Sequence, residues 1–184
     1  METETGAELT VPETQHRSGV PDLAPRNMAE AMDFAKMVAN SNFVPTAFRG
    51  KAGDVLCAMT MGYELGLKPM RALQNIAVIN GRPCIWGDLM IALVQSSGLL
   101  ESIKETDDGD KATCEVKRKG DSAAHVVTFS MADAKTAGLL SKGGPWSNYP
   151  KRMRQLRARG FALRDKFADA LGGLISREEA EDYP

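Results

Sequence analysis

The chain is predicted to fold as an α+β protein, on three observations. An Asn80-Gly81 pair sits between two β-rich runs, residues 76–79 and 82–86. That is the strongest short-range hairpin signal, because both turn residues accept positive φ. Further on, short runs with apolar and polar residues in alternation are separated by Asp/Gly turns, which predicts an antiparallel meander with one wet face. Around these runs apolar residues recur at helical spacing, most clearly in a basic stretch over residues 146–166. The expected architecture is a β-hairpin plus a small three-stranded antiparallel sheet, packed against several helices, with a long basic helix in the C-terminal half.

Composition sets the frame. With 184 residues, 43% hydrophobic and 26% charged, the chain has the balance of a soluble globular protein with room for a real core. Three widely spaced cysteines, Cys57, Cys84 and Cys114, do not make a disulfide framework and suit a reducing cytoplasm. The chain has no apolar run long enough to span a membrane, and its first residues lack the basic and apolar regions of a signal peptide. Residues 1–26 are rich in Glu, Thr, Pro and Gly without periodicity and read as a disordered acidic tail. Such a tail is a solubilising arm, or a competitor for a basic face. Residues 27–184 read as a single domain.

The elements follow in order. Asn27 can cap a helix over 28–39, with Met28, Met32, Ala35 and Ala39 on its apolar face. Phe43, Val44 and Phe48 are expected to pack within the loop over 40–50. Asp54 reads as the cap of the next helix, which carries Val55, Leu56, Met59 and Tyr63 and ends at Gly66. A short helix with Arg71, Leu73 and Gln74 leads into the hairpin, whose Arg82 and Pro83 imply an exposed edge. Asp88 reads as the cap of a helix that is apolar nearly all round and therefore buried. Strands are expected over 99–106, 112–117 and 125–129, with a turn at Asp107, Asp108, Gly109 and Asp110. Ser130 can cap a helix over 131–139, and Ser176 with Glu179 makes a capping box for a last acidic helix.

The stretch over 146–166 opens on Trp146, Tyr149 and Pro150, and a proline suits a helix's first turn. Tyr149, Met153, Leu156, Leu163 and Phe167 then make one apolar face. Seven cations follow: Lys151, Arg152, Arg154, Arg157, Arg159, Arg164 and Lys166, interrupted by one acid, Asp165. Arg152, Arg159 and Lys166 fall on one edge of the apolar face, and Arg154, Arg157 and Arg164 on the other side. Two readings stand: a solvated basic helix, or a packed helix that shows cations to a polyanion. The charge is local. Residues 1–26 carry a net −3 and residues 167–184 a net −4, while the whole chain is at −1.

Several chemistries have no residues to carry them. There is no G-x-x-x-x-G-K-[ST] for nucleoside triphosphate and no C-x-x-C, and only His16 and His125 offer imidazole. No cofactor or metal is expected. What remains is binding: guanidinium forks match phosphate oxygens, and rings stack on unpaired bases. Trp86 and Trp146 are the candidate rings, and Lys68, Arg71 and Arg82 a second cationic wall. Two other readings stay open. One is a small metal-dependent nuclease using carboxylates such as Asp88, Glu101 and Asp107. The other is a structural oligomer whose basic helix binds an acidic face of the next subunit.

The order G-L-K-P at Gly66 to Pro69, the Asn80-Gly81 hairpin, and Trp86-Gly87-Asp88 opening an apolar helix resembles the RecT/Redβ family of phage single-strand annealing proteins. So does the basic R-x-R-x-x-x-L-R-D-K-F segment from Arg157 to Phe167. The resemblance covers residues 34–182 and implies a small sheet with a hairpin, packed on helices, with a long basic helix at a positive groove. It implies a protein that anneals complementary strands without ATP, as a homo-oligomeric ring or filament on single-stranded DNA, holding the annealed duplex intermediate, in the cytoplasm of a bacterial host. Many members continue past the position of Pro184 into a small domain linked with partner recruitment. The partners it would imply are a phage exonuclease or a host single-strand-binding protein.

Overall fold

Asn80 and Gly81 both hold positive φ, 51° and 75°, and the turn they make folds β1 (Ile76–Ile79) back on β2 (Arg82–Ile85). The pairing is antiparallel, with Ile79 opposite Arg82 and Ile76 opposite Ile85. The computed structural model describes residues 23–182. The acidic tail expected over residues 1–26 therefore lies outside the described residues apart from its last four. Among the described residues the fold is α+β, with eight helices, this two-stranded sheet and a three-stranded antiparallel sheet. No described helix is long and apolar enough to cross a membrane.

Before the hairpin stand three helices. In α1 (Met28–Ala39) the Asn27 side chain accepts from the Glu30 N–H at 2.9 Å, as its cap position requires. α1 buries Ala35, Val38 and Ala39 against α2 (Ala52–Glu64), and Phe48 is buried in the turn between them. Asp54 is not the cap of α2. The Lys51 carbonyl already accepts from the Val55 N–H at 3.0 Å, so the cap falls three residues earlier and Asp54 lies in the first turn. An acid there is favoured by the helix dipole without capping anything. α2 ends at Gly66 (φ 72°), where the Leu67 N–H returns to the Gly62 carbonyl at 2.7 Å. α3 (Pro69–Asn75) then packs back on α2 at a contact only glycine permits. A Cβ on Gly62 would stand 2.2 Å from the Cβ of Ala72.

After the hairpin, α4 (Gly87–Ser96) buries Leu89, Met90, Leu93 and Val94. Asp88 is again inside the first turn, not at the cap, because the Trp86 carbonyl takes the Leu89 and Met90 N–H groups at 2.9 and 3.2 Å. The meander is β3 (Leu100–Asp107), β4 (Lys111–Arg118) and β5 (His125–Ser130), in that spatial order. Its first turn is held by carboxylates: Asp107 accepts from the Gly109 N–H at 2.9 Å and Asp108 from the Lys111 N–H at 2.8 Å. Alternation along β4 turns Ala112, Cys114 and Val116 inward.

Ser130 and Asp133 close the capping box of α5 (Met131–Thr136). The helix expected to reach Leu139 stops three residues sooner, because Gly138 (φ 71°) reverses the chain into a 3₁₀ turn at Leu139–Lys142. α6 (Pro145–Asn148) is a single turn. α7 (Pro150–Phe167) then lies across the sheet against β4 and β5 and touches α4. Ala158 and Ala162 bring its backbone close, while Leu163 and Phe167 are fully buried. Tyr149 departs from the expected apolar face. It is the residue before the helix, with φ −137° and ψ 52°, so its ring leaves the stripe and is exposed. α8 (Arg177–Ala180) starts at Ser176, whose hydroxyl accepts from the Glu179 N–H at 3.2 Å, and packs against the hairpin.

The Gly62–Ala72 contact sets the spacing of α2 and α3. Gly62→Ala is expected to overpack it and cost about 1–3 kcal/mol in urea unfolding, whereas Gly53→Ala, which meets no atom within 4 Å, is expected to leave stability unchanged or raised.

Candidate nucleic-acid interface

The cations of α7 face acids of their own chain. Arg154 Nη2 lies 3.0 Å from both carboxylate oxygens of Asp107 and donates to the Gly109 carbonyl at 3.0 Å. The two side chains are 4% and 7% exposed. Arg159 presents its fork to Glu105, Nε at 2.9 Å and Nη2 at 2.6 Å. Arg157 pairs with Asp182 and has its guanidinium over the rings of Phe129 and Phe161, 5.8 and 5.6 Å from their centroids. Arg164 reaches the buried Glu179 at 2.5 Å, Lys166 reaches Asp121 at 2.6 Å, and Arg152 reaches Asp88 at 3.0 Å. Of the seven cations, Lys151 alone has no acid paired with it among the described residues, and it is exposed.

These pairs turn inward cations that the sequence offers as phosphate ligands. Arg154, Arg157 and Arg159 are buried struts between α7, β3 and the C-terminal segment. The physical reason lies on β3, where Glu105 and Asp107 alternate with the exposed Lys104 and Thr106 and so point at the helix. Burial pulls the Arg159 guanidinium down, but the hydrogen bond and charge of Glu105, with Asp88 behind, hold it above its ordinary range. Next to this pair, burial pushes the Cys114 thiol up to about 12. Trp146 is likewise not a stacking platform. It is 4% exposed and packs on Phe129, ring centroids 5.9 Å apart.

What faces outward lies elsewhere. Lys68 caps α3 and Arg71 is its third residue, while Arg82 starts β2, and all three are exposed. Trp86 is 39% exposed. The guanidinium of Arg177 lies 4.1 Å from its ring centroid, which sequence reasoning missed. Arg177 is remote in sequence and stands in a helix that reads as acidic, so no local pattern could have placed it there. The carboxylates considered for catalysis do not gather: Asp88 is held by Arg152 and Arg159, Glu101 by Lys117, Asp107 by Arg154. Among the described residues no group of three or more His, Cys, Asp or Glu is placed to hold a metal ion. His125 Nε2 sits 2.9 Å from Asp165, a link between β5 and α7.

A third fork ties the sheet to the end of α7. Arg118 donates to both oxygens of Asp169, at 2.7 and 2.6 Å, and to the Lys166 carbonyl at 2.8 Å. The hydrogen bond from Arg118 holds the Asp169 carboxyl at about 2. No protein-family model matches the chain, and no curated protein matches it in sequence.

Two outcomes follow from these pairs. Arg154→Ala strands the buried Asp107 charge and is expected to cost about 3–5 kcal/mol in chemical unfolding. For Asp169, a carboxyl held lower in the folded chain than in the unfolded one stabilises above the unfolded value and loses that contribution on acidification. The stability gap between the parent and Asp169→Asn is therefore expected to be full above pH about 5 and to close as pH falls from about 4 towards about 2, read by urea titrations across that range.

Proposed function

We propose that the chain binds single-stranded DNA and anneals complementary strands without nucleoside triphosphate, as a homo-oligomer, in phage-type recombination within the bacterial cytoplasm. The observation that carries this reading is a half-exposed indole with a guanidinium on its face, Arg177 against Trp86; Arg71, Arg82 and Lys151 are exposed as well, and Arg152 is half-exposed. The motif order that resembles the RecT/Redβ family supports it. In the fold those motifs are consecutive joints: Gly66 ends α2, Lys68 and Pro69 open α3, Asn80-Gly81 turns the hairpin, and Trp86 precedes α4.

The chemistry required is non-covalent. Guanidinium and ammonium groups neutralise phosphates and remove the repulsion between two strands. An indole stacks on an unpaired base regardless of its identity, leaving Watson–Crick edges free to test a second strand. In this reading α7 is the frame that carries the surface, and its first turn, Lys151 and Arg152, contributes to the grip.

Anisotropy of a labelled oligothymidylate and fluorescence-quench annealing of complementary oligonucleotides test this directly. Trp86→Ala is expected to weaken binding by about 1–3 kcal/mol. Arg82→Ala is expected to flatten the slope of log Kobs against log salt by about 0.7, one single-strand phosphate contact. Binding that ignores salt, or annealing that survives Trp86→Ala with Arg82→Ala unchanged, would rule the proposal out.

A further inference from the structure

We infer that Arg152, Arg159 and Arg177, gathered on residues 86–88, form a phosphodiester site that the chain's own Asp88 keeps occupied. The identity of the ligand rests on the single-strand reading above; the existence of an oxyanion site does not. Arg152 Nη2 and Arg159 Nη1 converge on one oxygen of Asp88, at 3.0 and 3.4 Å. From the other side Arg177 covers the Trp86 ring. Gly87 is what lets the two sides meet. A Cβ there would stand 3.1 Å from Leu156 of α7 and 3.3 Å from Glu178 of α8.

Asp88 is an unusual partner for two guanidiniums, because its side chain is 78% exposed. Exposed ion pairs add little stability, and Arg159 already has its fork on Glu105 to hold it in place. What Asp88 does is set an oxyanion where two N–H donors converge, beside an indole that a neighbouring base can cover. A phosphate oxygen is the same kind of acceptor, and planar guanidinium forks match it.

The local charge then decides the occupant. Three arginines face four carboxylates: Asp88, Glu105 on Arg159, Glu181 on Arg177, and Glu178, whose Oε1 lies 3.5 Å from the Gly87 nitrogen. A phosphate enters this corner only by taking the place of an acid. Asp88 is the one that can leave, since its carboxylate turns from the arginines directly into water. Asp88 therefore sets the affinity of the site, and Arg177 is a binding residue in addition to those on α3, β2 and α7.

The full chain and its Asp88→Asn variant carry the test, with Asp54→Asn as the control that removes an exposed acid from another helix's first turn. The probes are a labelled oligothymidylate, read by anisotropy at low salt, and inorganic pyrophosphate, read by the shift in thermal midpoint. Asp88→Asn is expected to bind the oligonucleotide about fivefold tighter than Asp54→Asn. Adding Arg177→Ala should abolish that gain, and pyrophosphate should raise the midpoint of Asp88→Asn above the shift of the parent. Circular dichroism melts and the same gain in Asp88→Ser separate a charge effect from a folding defect. Equal behaviour of Asp88→Asn and Asp54→Asn with both probes, or weaker binding by Asp88→Asn, overturns the site. Selective stabilisation of Asp88→Asn by pyrophosphate, with the oligonucleotide bound by no variant, keeps the oxyanion site and removes the single-strand reading.

Discussion

The pair of Arg154 with Asp107 is the contact on which the rest of the molecule depends. Asp107 ends β3, accepts from the Gly109 N–H and so shapes the β3–β4 turn, while Arg154 also donates to the Gly109 carbonyl. One buried charge pair thus fixes a strand end, a turn and the first half of α7. Two residues back on β3, Glu105 meets Arg159, five residues on along the helix. The spacings agree: two strand residues span about 6.7 Å and five helical residues about 7.5 Å. Two forks at that repeat hold α7 on the sheet in one register. Burying unpaired charge is prohibitive, so any slip of α7 along the sheet is opposed by both pairs at once.

That arrangement changes what a basic helix means here. Most of the positive charge concentrated in residues 150–166 is matched within the chain, by Asp107, Glu105, Asp182, Glu179 and Asp121. The acidic C-terminal segment is the other half of the same lattice and not a separate tail, since Glu179 and Asp182 sit against Arg164 and Arg157. The cations left exposed are others: Arg71, Arg82, Lys151 and the half-exposed Arg152, with Arg177 on the Trp86 ring. The inner and outer sets meet at Asp88, which touches Arg159 from the first and Arg152 from the second.

Local chemistry was legible in the sequence wherever a few adjacent residues decide the conformation. Asn80-Gly81, the Asn27, Ser130 and Ser176 caps, the Asp107–Asp110 turn and the β3–β4–β5 meander all follow from neighbours within four positions. Asp54 and Asp88 misled because an acid in the first helical turn and an acid at the cap are favoured by the same end charge and differ here by only three and two positions. The arginines of α7 misled for a different reason. A helical wheel shows which cations share an edge, but the acids that bury them come from β3, 47 and 54 residues away. Glu105 reads as one residue of a strand and Asp107 as part of the turn that follows, until the helix that covers them is known. Arg177 on Trp86 is of the same kind, a contact made by tertiary packing alone.

Arginine modification by phenylglyoxal, mapped by mass spectrometry with and without a saturating oligothymidylate, tests the division between inner and outer cations most directly. The expected result is that Arg154, Arg157 and Arg159 resist the reagent in both states, whereas Arg71, Arg82 and Arg177 react in the free protein and are protected by the strand. Rapid modification of Arg154 and Arg159 in the free protein, with protection by DNA, would contradict the internal lattice and return the grip to α7.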